Sequence, residues 1–144
     1  MKTLLVLTCA VALVTLTNGV AAAETTAADF RLAVKNLDEA VAEADLQKVF
    51  ADLAKFVKLD EPLVRKAMVE QQLPFSGVAL AQLLAEKTRR KFEEVLEAHP
   101  KRDWLEACAK AQVSLSDAVE RLEDLWAKVS FLTYEQQKKR KKKK

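Results

Sequence analysis

The chain has 144 residues, is 50% hydrophobic and 31% charged, and carries a formal net charge of +3 with a single histidine, two cysteines, two glycines and three prolines. That length suits one domain with a real core, and the cysteine count excludes a disulfide-dense scaffold. So few breakers beside so much Ala, Leu, Glu, Lys and Gln exclude collagen-like and low-complexity chains. They predict an all-α protein, a compact bundle of about six or seven mostly short helices.

Residues 1 to 23 have the form of a cleavable export signal. Lys2 gives a positive start, Leu4 to Leu16 is almost wholly apolar, and Ala21-Ala22-Ala23 offers a small-residue cleavage site ahead of Glu24. The apolar stretch falls short of the roughly 20 residues a spanning helix needs, so no transmembrane anchor is expected. Cys9 lies inside the apolar stretch behind Thr8, which does not suit a lipid-modified cysteine. The protein is therefore expected to be exported, periplasmic or secreted, with one helical domain over 24–137 and a basic tail over 138–144. With Cys9 removed, Cys108 is the only thiol left in an oxidising compartment.

From Asp29, placed to cap a helix, Phe30, Val34, Leu37 and Val41 fall on one face. Leu46, Val49, Phe50, Leu53 and Val57 repeat the helical spacing in a new register, with Asp45 either a second cap or a bend. Asp60-Glu61-Pro62 starts a helix carrying Leu63, Val64, Ala67 and Met68, which should end near Leu73 because Pro74 follows. Ser76 opens the next, through Val78, Leu80, Ala81 and Leu84 to about Thr88, before the basic run Arg89-Arg90-Lys91. Phe92, Val95 and Leu96 form a brief helix stopped by His99-Pro100, and Asp103 caps another with Trp104, Leu105 and Cys108. Ser114 starts the last, where Leu115, Val119, Leu122, Leu125, Trp126, Val129 and Leu132 face inward and Asp117 completes a capping-box-like spacing.

From Leu80 to Leu122 the order Leu83-Leu84-Ala85-Glu86-Lys87-Thr88, then Phe92-Glu93-Glu94-Val95-Leu96, then Trp104 to Lys110 resembles a pattern met in small exported bacterial all-helical proteins of unknown function. Arg89 stands where that pattern has glycine. The resemblance implies an exported helical fold and brings no activity with it.

Catalytic and metal-binding patterns are weak. His99 and Cys108 are the one base-and-nucleophile pairing the chain offers for covalent catalysis, yet His99 sits at a helix-ending proline and Cys108 shares a face with Trp104, Leu105 and Ala111, as a small buried apolar residue would. Glu93, Glu94, Glu97 and His99 lack the ligand set of a transition-metal site, and Glu93 and Glu97 read as one solvated helix face. Trp104 to Leu122 has helix-turn-helix proportions, but the would-be recognition helix presents Asp117, Glu120, Glu123 and Asp124 against only Arg121 and Lys128, a charge pattern that repels phosphates. These readings point to a non-enzymatic protein with no cofactor, no metal and no sequence-specific DNA site.

The charge is unevenly distributed. Lys138, Lys139, Arg140, Lys141, Lys142, Lys143 and Lys144 are seven consecutive basic residues; with these and Lys2 set aside, 16 basic groups face 21 acidic ones, so the body carries −5 and the end +7. A run without apolar residues has nothing to pack and is expected to be disordered. Its plain reading is a solubilising tail or an addition made for expression. Its functional reading is an electrostatic tether to a membrane face, an anionic polymer or a nucleic acid, each cation adding about 1 kcal/mol near an anionic surface. The other expected interaction is assembly, with the helix Leu115 to Tyr134 pairing with a protein partner or a second copy through its aromatic and leucine face.

Overall fold

The computed structural model describes residues 24–143. The export signal read over residues 1–23 lies outside the described residues, as does Lys144. Among the described residues seven α-helices follow one another: α1 Ala27–Glu43, α2 Leu46–Val57, α3 Glu61–Arg65, α4 Phe75–Thr88, α5 Phe92–Ala98, α6 Trp104–Lys110 and α7 Leu115–Lys141. No strand occurs among the described residues.

The helix starts follow capping chemistry, with two shifts from the sequence reading. Asp29 is the third helical residue of α1 and not its cap: Thr26 holds the extended cap geometry, its Oγ1 accepts from the Asp29 N–H at 3.2 Å, and Asp29 Oδ2 accepts from the Thr26 N–H at 2.7 Å. This reciprocal box satisfies two end donors where a lone Asp satisfies one. Asp45 occupies the cap position of α2 without capping it, because its carboxylate is taken by Lys48 at 2.7 Å. Asp103 and Ser114 cap α6 and α7 as their spacing predicts, accepting from Glu106 N at 3.1 Å and Asp117 N at 3.0 Å.

The helix from Glu61 continues as a π-helical turn over Lys66–Glu70. The wider turn lets the Leu73 N–H reach the Ala67 carbonyl at 2.9 Å, so Leu73 is buried while Gln72 takes a left-handed φ of 51°. The chain then enters α4 one residue earlier than Ser76.

Helix α4 is the centre of the fold. Ser76 and Gly77 included, its residues from Phe75 to Ala81 and from Leu83 to Ala85 are buried, as expected of a helix apolar on nearly every side. It contacts α1, α2, α5, α6, α7 and the π turn, while α1 and α7 lie along each other on one side. Phe50, Phe75, Leu37, Leu80, Leu122 and Leu125 are each at most 1% exposed and form one continuous core. Gly77 marks the tightest approach: a Cβ there would stand 2.7 Å from Leu73 Cδ1 and 3.3 Å from Trp104 Nε1.

Because Pro74 precedes α4 and has no side-chain acceptor, the cap comes from another helix. Asp38 of α1 accepts from the Ser76 N–H at 2.9 Å and from the Ser76 hydroxyl at 2.7 Å. Nothing in the local sequence announces this, since the two residues are 38 positions apart.

The expected disorder of the basic tail is corrected. Helix α7 runs on through Lys138, Lys139, Arg140 and Lys141, and Lys142 and Lys143 continue as a turn through backbone bonds to Lys138 and Arg140. Two physical reasons favour this. The helix is already nucleated and packed before the run begins, so each further residue costs little, and cations in the last turn interact favourably with the negative end of the helix dipole.

Candidate anion-binding end of the long helix

Thr133 is the last buried residue of α7, its hydroxyl donating to the Val129 carbonyl at 3.1 Å. Beyond it the helix has left the core, and the next two turns display their side chains to solvent, to the start of α2 or to the end of α1, where Tyr134 and Gln137 border a cleft with Ala40 and Glu43. Helical spacing divides the basic residues between two sides. Lys139, Arg140 and Lys143 line, together with Gln136 and Lys48 of α2, a cleft of about 210 Å³. Lys138, Lys141 and Lys142 continue the opposite, solvent-facing side that carries Phe131 and Tyr134.

The cleft therefore gathers four cations. Asp45 at its edge accepts from Arg140 at 3.4 Å and Lys48 at 2.7 Å, where the C-terminal turn passes beside the start of α2. The Lys48 ammonium, with Arg140 behind it, holds the Asp45 carboxyl below the usual aspartate range against a smaller opposing effect of burial. One carboxylate among four cations leaves local positive charge uncompensated, in a recess large enough for a phosphate, sulfate or carboxylate group. Lys48 belongs to this cluster and sequence reasoning did not find it, because it comes from a different helix.

Elsewhere the sequence candidates are used internally. Cys108 is fully buried, and burial pushes its thiol up to about 11. His99 packs its ring 6.4 Å from that of Trp104 and borders a cleft with Leu84, Thr88, Ala107 and Ala111. Glu93 and Glu97 are exposed, while Glu94 accepts from the Lys91 N–H at 3.2 Å. Among the described residues no group of three or more His, Cys, Asp or Glu side chains is gathered as a metal cage, and no helix is long and apolar enough to cross a membrane.

In the helix-turn-helix-like segment, the basic side chains that a phosphate would need are engaged. Arg121 pairs with Glu86 at 2.8 Å, Lys128 pairs with Asp124 at 2.7 Å, and Lys87 reaches across from α4 to Asp117 at 3.2 Å. The Lys87 ammonium and the Ser114 hydroxyl hold the Asp117 carboxyl below its ordinary range.

The aromatic and leucine face expected to pair with a partner divides in two. Val119, Leu122, Leu125 and Val129 are buried in the chain's own core and are not free to meet another helix, whereas Trp126, Phe131 and Tyr134 are 45%, 67% and 59% exposed. The inward stripe is spent on α1 and α4, and the rings left outside lie beyond its edge or on the opposite side.

No protein-family profile, no curated protein and no solved structure matches the chain.

Proposed function

We propose that this is an exported, non-enzymatic binding protein that attaches to an anionic surface or polymer through the C-terminal end of α7. One observation carries the reading: Lys139, Arg140 and Lys143 converge with Lys48 on one cleft at one corner of a body that is otherwise acidic. The asymmetry orients the molecule, since the −5 body is repelled by the surface that attracts its basic end. The signal-like start and the resemblance to small exported helical proteins support the compartment, where phosphorylated lipids and acidic polymers are the abundant polyanions.

The physical requirement is modest. Exposed cations near an anionic surface contribute about 1 kcal/mol each and lose most of this beyond a Debye length of about 8 Å at physiological salt. A cluster held by a folded helix presents several of them together without first having to order a coil.

The test compares the chain from Glu24 with a version ending at Gln137 for binding to anionic vesicles, an anionic polysaccharide and duplex DNA, at low and at physiological salt. Binding that needs the last seven residues and weakens with salt is the expected result. Equal behaviour of the two forms on all three polyanions refutes the reading.

A further inference from the structure

On the solvent side of α7, Glu120, Asp124, Ala127, Phe131, Tyr134, Lys138 and Lys141 follow one another at alternating steps of four and three, and every one is exposed. That spacing is the seam of a heptad repeat. Its charge is graded, acidic before the rings and basic after them. Single exposed apolar residues are ordinary on a protein surface, but Ala127, Phe131 and Tyr134 in succession on one seam form a patch, with the two rings 67% and 59% exposed.

We propose that this seam pairs with the same seam of a second copy, the two α7 helices running antiparallel. A two-fold axis crossing the seam between Phe131 and Tyr134 sets each Phe131 against Tyr134 of the other copy. The same register brings Asp124 opposite Lys141 and Glu123 opposite Lys142, each contact made twice, as a two-fold interface requires. Ala127 then falls opposite Lys138, where a small residue leaves room for a long aliphatic stem.

Charge selects both the partner and its direction. A parallel pair would stack Lys138 on Lys138 and Lys141 on Lys141, and like charges on facing positions oppose association. A lipid surface would accept the rings and the lysines but meets Glu120, Glu123 and Asp124 on the same side of the helix, and an anionic bilayer repels that half. The antiparallel copy uses both halves of the gradient. Asp124 already accepts from Lys128 at 2.7 Å, and its carboxylate has lone pairs left for a second cation. The anion-binding cleft of Lys48, Lys139, Arg140 and Lys143 lies off this seam, so pairing leaves it open and brings two such clefts into one particle.

The deciding experiment is sedimentation equilibrium of the chain from Glu24 across micromolar to millimolar concentrations at low and high salt, with vesicle co-sedimentation alongside. A salt-weakened monomer–dimer equilibrium is expected. Phe131→Ser should raise the dissociation constant by about tenfold or more, as loss of a central aromatic contact does. Asp124→Lys and Lys141→Asp should each weaken the dimer, and the two together should restore it. Thermal melts matching the parent chain show that these exposed substitutions leave the fold intact. A strict monomer at low salt overturns the proposal, as does a dimer indifferent to both charge reversals. Retention of monomer mass with vesicle binding lost in Phe131→Ser also overturns it, in favour of a lipid-facing seam.

Discussion

Replacing Asp38 by Ala should destabilise the protein through a helix it does not belong to. Ser76 is 3% exposed, and its N–H and hydroxyl both donate to the Asp38 carboxylate, at 2.9 and 2.7 Å. Pro74 offers no substitute acceptor at the start of α4. Removing the carboxylate strands two polar groups, and a buried donor left unpaired costs about 1–3 kcal/mol. Asp38 itself is only half-buried, so water can reach part of the vacated space and the expected loss is about 2–3 kcal/mol. Asp38→Asn keeps an acceptor but gives up the charge at the positive end of α4, for about 1 kcal/mol. Ser76→Ala removes the hydroxyl together with its need for a partner and should cost about 1 kcal/mol or less. Urea unfolding followed by far-ultraviolet circular dichroism gives each value, with an unchanged m showing that only stability has moved. The double variant should fall short of additivity by about 1 kcal/mol, since the hydroxyl bond can be lost only once. An Asp38→Ala protein within about 0.5 kcal/mol of the parent, the range of an ordinary surface change, refutes the account of α4 capped from α1.

Lys58, Arg89 and Gln112 hold φ of 58°, 55° and 56°, and after each the next N–H reaches back five residues, from Leu59 to Ala54, Arg90 to Ala85 and Val113 to Cys108. Glycine relieves left-handed strain at such helix ends, so each single substitution to Gly should raise stability by about 0.5–1 kcal/mol net of the entropy glycine adds to the unfolded chain, and the triple variant should melt several degrees higher. Cys108, with its thiol raised to about 11 from 9.0, should resist thiol reagents until the protein unfolds. Because the folded state keeps that proton while the unfolded chain loses it, stability should decline from about pH 9 towards pH 11, and Cys108→Ala should flatten that decline in denaturation series at stepped pH, leaving the part that Lys110, raised by its bond to Glu106, contributes. The Thr26 amide and hydroxyl hold the Asp29 carboxyl below its ordinary value, so the start of α1 is stabilised above that value and should fray as pH falls through the folded one; amide exchange across the first turn reads this, and Thr26→Ala, which loses the hydroxyl but keeps the amide donor, should weaken the dependence without removing it. Gln137→Pro keeps all seven basic residues but breaks the last turns of α7, and it should weaken polyanion binding severalfold in a vesicle or polysaccharide assay if the cleft with Lys48 matters and not the charge alone.

The helical order was legible because the apolar spacing is clean. Val49, Phe50, Leu53 and Val57 are buried where their register places them, and Ser114 caps α7 where the sequence puts a cap. Long-range information was not legible. Asp38 reads as one more charged residue on α1 until α4 is seen to begin against it, and Lys48 reads as an ordinary first-turn lysine until α7 returns beside it. Arg89 shows the limit of a composition rule: the turn that favours glycine forms with arginine, because the bonds from Arg89 and Arg90 to the Ala85 carbonyl outweigh the strain of one left-handed residue. The basic run misled for a similar reason. A segment without apolar residues cannot pack by itself, but this one inherits its conformation from the buried helix before it.

That inheritance bears on how the proposed site would work. Helical lysines at spacings of three and four repel one another by a few tenths of a kcal/mol per pair, while the helix dipole favours each cation by a comparable amount, so the last turns of α7 stand near balance. The bond between Arg140 and Asp45 is long at 3.4 Å and solvent-exposed, and it adds little to that balance. An anion seated among Lys48, Lys139, Arg140 and Lys143 removes the repulsion while leaving the dipole term in place, which tips the end of α7 towards the helix. Binding and order at this corner are then linked: whatever polyanion occupies the cleft firms the turns that build it, and substitutions that loosen those turns weaken binding without touching a charge.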